Sequence, residues 1–183
     1  MGKMSLNPLD DFAAIRGRLE SLPIGRPLIA MVLQHIEHPS NAVITNLLDR
    51  GVHIALYIED PADAPPELQK QGWDRIANII PDFAGHERGG LDVWLVPNLP
   101  PFNATWIEGQ FIAIRLHDEL GVDTPQVSAP VDVGQMTIAE AGTPEYNVLT
   151  KIVYEFADRA ATNNLGPQYV ISEGNVLRAM GDH

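Results

Sequence analysis

The sequence predicts an α/β fold: a mixed, mostly parallel sheet flanked by helices, with a C-terminal β-hairpin. Three observations carry that expectation. PLIAMVLQ, VHIALYIED and LDVWLVPN are apolar runs of strand length, the pattern of strands covered on both faces. The stretches between them have helical spacing, which gives the order β-α-β-α-β and crossover connections. After Pro100-Pro101 the pattern shortens into strands and turns.

Each element has its own signals. Asn7 suits an N-cap and Pro8 the first helical position, with Asp10 and Asp11 at the positive end of the dipole. Leu9, Phe12, Ile15 and Leu19 then share one helix face, and Pro23, Gly25 and Pro27 break the helix. After the first strand, HIEHPSN caps the helix NAVITNLLDRG, which stops at Gly51. PELQKQGWDRIANIIPDF is a helix whose apolar spacing Gly72 weakens, and AGHERGG is a turn. ATWIEGQFIAIRLHDE is one bent strand or a hairpin turning at Glu108-Gly109. QMTIAE is a short strand in a loop-rich region. In the last helix Thr143 is the N-cap, Pro144 the first position and Glu145 an acid in the first turn. Val148, Ile152, Tyr154 and Phe156 supply its apolar face. QYVISEGNVLRAM reads as a hairpin around Glu173-Gly174-Asn175.

A chain of 183 residues is expected to form one domain, residues 1–183, and to bury about 70% of its unfolded surface. Its parts are a helix within 1–22, a core over 28–161 and the hairpin within 167–183. With no cysteine, thiolate metal sites and Cys nucleophiles are excluded. No apolar run approaches the ~20 residues of a membrane span, and MGKMSLNPLDDF lacks a signal-peptide core. A cytoplasmic location is therefore expected. Twelve Lys and Arg against 24 Asp and Glu give a formal charge of −12, which disfavours nucleic acid and anionic membranes as partners.

Ligands in open α/β sheets gather beyond the carboxyl ends of the strands. Gln34-His35-Ile36-Glu37-His38 and Glu59-Asp60 stand at two such ends. His35, Glu37 and His38, with Glu59 or Asp60, are the ligand types for zinc or iron, although two His three apart before Pro39 are not the helical metal spacing. Solvated loop histidines are the competing reading. No GxxxxGK[ST], GxGxxG or GxSxG occurs in the required setting, so nucleotide cradles and a nucleophile elbow are not expected. Trp94 alternates with apolar neighbours as a core residue does, whereas Trp106 fits an interface or a pocket mouth.

NAVITNLLDRGVHIALYIED resembles the helix–Arg-Gly-Val–strand unit of phospholipase D-like domains. GGLDVWLVP followed by 102–115 resembles their strand leading into the catalytic strand, and EYNVLTKIVYEFADRAA the helix that closes each lobe. The resemblance spans residues 28–161 and implies a phospholipase D-like lobe. The family's signature is His-x-Lys-x4-Asp, whose positions fall here on Asn103, Thr105 and Gln110. An amide does not replace an imidazole nucleophile, and Thr carries no positive charge. HERGGLD is a near miss, with His86, Arg88 and Asp92 one residue short of the spacing. The implied function is a non-catalytic ligand-binding, sensing or dimerisation module, a pseudoenzyme with no cofactor. Its small ligand would meet Asn103, Thr105 and Gln110, with His35 and Glu59 nearby. Single-lobe members pair with their lobes facing, which implies a homodimer. The alternatives are a metal-assisted hydrolase using His35, Glu37, His38 and Asp60, and an acidic domain that binds a basic protein partner.

Overall fold

The computed structural model describes residues 15–22, 28–33, 38–83, 89–97, 99–116, 135–163, 169–172 and 175–178. Residues 15–20 are helical and form α1. There follow β1 (Leu28–Leu33), α2 (His38–Asp49), β2 (His53–Glu59), α3 (Pro66–Ile79) and β3 (Gly90–Val96). The chain continues through β4 (Phe102–Ile107), β5 (Phe111–Leu116), β6 (Met136–Glu140), α4 (Pro144–Asn163), β7 (Tyr169–Ser172) and β8 (Asn175–Arg178). Among the described residues eight strands join one sheet in the order β6-β5-β4-β1-β2-β3-β7-β8.

The α/β class and the mixed sheet are as expected, but "mostly parallel" is corrected. Among the described strands only β1-β2 and β2-β3 are parallel pairs, and the other five pairings are antiparallel. The reason lies in the connections. Helices α2 and α3 return the chain to the starting end of the sheet, whereas the described residues of the connection 97–101 carry no helix. It spans three strand spacings, about 14 Å, within the roughly 20 Å that an extended connection of that length reaches. β4 therefore starts at the carboxyl end of β1 and runs back beside it.

Helices cover both faces. Ile15 and Leu19 of α1, Ile44, Leu47 and Leu48 of α2, and Ile76 of α3 pack on Ile29, Met31, Ile54, Leu56, Leu91 and Val93. On the other face Tyr146, Leu149, Ile152, Val153 and Ala160 of α4 pack with Ala104, Ile112, Ile114 and Ala139. Helix α4 has its main contacts with β4, β5 and β6, and its Phe156 meets Tyr57 of β2. Tyr154, expected on the apolar face of α4, is 58% exposed.

Several local signals act as read. Gly51 has φ 83°, with Gly51 N donating to Leu48 O and Val52 N to Leu47 O. That is the Schellman ending of α2. Tyr146 N donates to Thr143 Oγ1 at 3.3 Å, so Thr143 caps α4. Residues 102–116 are a hairpin with Gly109 at φ 74°, and β7-β8 is the expected C-terminal hairpin. Gly72 has a packing reason, since a Cβ there would lie 2.9 Å from Pro61 Cβ. The Asn7 cap and the apolar positions Leu9 and Phe12 lie outside the described residues.

Candidate functional site

Asn103 and Thr105 are two residues apart on β4 and face the α1–α3 side of the sheet. Thr105 fixes the parity, pairing with Met31 and Ala113, which belong to that core. Their exposures are 7% and 5%, and they are the only buried polar residues among those described. Asn103 stands one step beyond the Val32–Ala104 pair, beside the carboxyl end of β1. It is the end where ligands gather in an open sheet.

Arg115 is directly opposite Asn103 in the β4-β5 ladder and shares its face. Sequence reasoning missed this cation. The signal was available: with the turn at 108–110, pairing back from Ile107–Phe111 brings Arg115 to Asn103. An amide, a hydroxyl and a guanidinium offer donors to ligand oxygens. None is a phosphorus nucleophile at neutral pH without an adjacent base.

Gln110 does not join them. It lies exposed in the β4-β5 turn, where its N donates to Ile107 O and its O accepts from Ala141 N. The strand between puts it more than about 13 Å from Asn103. Glu59 is half-exposed at the carboxyl end of β2. Asp60 is an N-cap, with Oδ1 accepting from Ala62 N at 2.9 Å. His35 and Glu37 lie outside the described residues, as do His86 and Arg88. His38 is the first residue of α2, and its side chain lies outside the description as well. Among the described residues no group of three His, Cys, Asp or Glu could hold a metal ion, and no helix is long and apolar enough to cross a membrane.

The opposite face carries a second polar group that the sequence reading passed over. His53 Nε2 and Asp92 Oδ2 are 3.0 Å apart, with side chains 46% and 29% exposed. Tyr57 and Trp94 pair in the same ladder and stack with centroids 5.9 Å apart. Trp94 is thus partly buried, packed against the second core cluster on the same face as Asp92. Burial, and then the Asp92 carboxylate, push the Tyr57 hydroxyl above its usual pKa. The period-2 pattern His53-x-Ala55-x-Tyr57 beside Asp92-x-Trp94 was the signal for this grouping. Trp106 is pinned, its Nε1 donating to Tyr146 Oη at 3.2 Å.

No family model matches the chain, and no curated protein matches it.

Proposed function

We propose that this chain is a phospholipase D-like binding module without phosphodiesterase chemistry. The observation that carries the reading is the placement of Asn103 and Thr105. Both are buried two residues apart on β4, Asn103 beside the carboxyl end of β1 and Thr105 opposite Met31 within it, at the positions the resemblance assigns to a catalytic His and Lys. Supporting it, the Arg50-Gly51-Val52 turn closes α2 and feeds a strand parallel to β1, as in the resembled unit. Arg115 opposite Asn103 supplies the positive charge that Thr105 lacks. The site therefore holds the oxygens of a small anionic ligand and does not attack it. The same resemblance makes a homodimer the working assembly.

The test uses bis(4-nitrophenyl) phosphate as both substrate and ligand. The expected result is no nitrophenolate release together with saturable shifts of the amides of β4 and β5. Release above background that is lost in Asn103→Leu overturns the non-catalytic reading. Absence of saturable binding overturns the ligand site.

A further inference from the structure

We infer that the opposite sheet face holds a second site, for a small organic ammonium ion, built from Asp92, Trp94, Tyr57 and His53. Asp92 and Trp94 are two apart on β3 and so share a face with Tyr57 and His53 of β2. Helix α4 packs mainly on β4 to β6 and reaches Tyr57 of β2 through Phe156. The carboxylate of Asp92 and the ring of Trp94 are both partly open to solvent.

Each side chain has a chemical role. Asp92 gives the negative charge, and among the described residues its one hydrogen-bond partner is His53. The Trp94 ring offers a π face, the strongest of the aromatic platforms for a cation. Tyr57 backs it by stacking at an interplanar angle of 15°, and Phe156 meets Tyr57 edge-on with centroids 5.5 Å apart. The small residues of the two strands set the neighbours: Ala55 lies opposite Asp92, and Gly90, opposite His53, lets the His53 ring lie over β3.

The geometry disfavours two other uses. A general-base histidine needs a nitrogen turned to substrate, but Nε2 of His53 is on Asp92. A Cβ on Gly90 would lie 2.5 Å from its Nδ1, so that nitrogen rests over the backbone of β3. A divalent cation needs more oxygen donors than one carboxylate and one imidazole supply. An alkylated ammonium ion needs one charge and an aromatic wall, which are present. The chain's charge of −12 raises the local concentration of any cation.

The test is a titration of the full chain with tetramethylammonium chloride, against sodium chloride at equal ionic strength, followed by amide shifts. The expected result is saturable shifts at residues 53–57 and 90–94, with affinity at least tenfold weaker in Asp92→Asn. If that variant fails to fold by circular dichroism, Trp94→Leu takes its place with the same expectation. Shifts that match those with sodium, that spread over the acidic surface, or that persist in the folded variant overturn the proposal.

Discussion

Arg50 Nη2 donates to the carbonyl oxygen of Leu22 at 2.6 Å, joining the turn after α2 to the chain leaving α1. Its Nη1 donates to Leu19 O, also at 2.6 Å. These carbonyls lie at the end of α1, where intrahelical donors run out. Replacing Arg50 with Met keeps the stem and removes both charge-assisted bonds. The expected cost is about 2 kcal/mol. It should appear in urea unfolding as a lower midpoint with unchanged slope, and Lys, which has no fork, should recover less than half.

Gly89 and Gly90 are adjacent yet answer to different neighbours. A Cβ on Gly89 would lie 2.7 Å from Leu48 Cα and from the carbonyl oxygens of Leu48 and Val52, all backbone atoms. At Gly90 the obstacle is the His53 ring. Gly89→Ala is therefore expected to destabilise by more than about 2 kcal/mol, the scale of overpacking. Gly90→Ala should cost less and should displace His53 from Asp92, read as a change in the His53 ring resonances.

The hydroxyl of Tyr146 accepts from Trp106 Nε1 and from Gly109 N, at 3.2 and 3.0 Å. It ties the first turn of α4 to β4 and to the hairpin turn. Tyr146→Phe strands both donors in a partly buried place, at an expected cost of about 1–2 kcal/mol. A change in the Trp106 indole resonance with little change in helix content checks the assignment.

Tyr57 gives the fold a dependence on alkaline pH. Its hydroxyl is raised from the ordinary value of 10.0 by burial and by Asp92, so the folded state holds the proton more tightly than the unfolded chain. This contribution is complete below the unfolded value and is lost as pH rises through the folded one. Stability should therefore fall above about pH 10. Tyr57→Phe, which has nothing to ionise, should flatten that fall, measured by denaturant midpoints across the range.

The sequence was most legible where one residue decides the geometry. Gly51 stops α2 because a left-handed residue is needed there, and Thr143 caps α4 because its hydroxyl meets an orphan amide. Strand direction was less legible. Apolar runs report burial on two faces, and only the connections distinguish parallel from antiparallel neighbours. The two hairpins were legible from their turns, but the antiparallel placement of β4 beside β1 and of β7 beside β3 was not. Site residues followed the same division. Asn103 and Thr105 share a face by simple alternation, whereas Arg115 and the His53–Asp92 pair depend on register between strands. Linear spacing placed Gln110 with Asn103, and the turn carried it to the other end of the hairpin.

The central claim is that Asn103, Thr105 and Arg115 form a binding site and not a phosphodiesterase centre. One titration tests it most directly: bis(4-nitrophenyl) phosphate added to the isotope-labelled chain, with amide shifts and nitrophenolate absorbance recorded together. The account predicts saturable shifts at 102–105 and 113–116, lost in Asn103→Leu, with no absorbance rise above buffer. Turnover that disappears in the same variant, or an absence of saturable shifts at those strands, would contradict it.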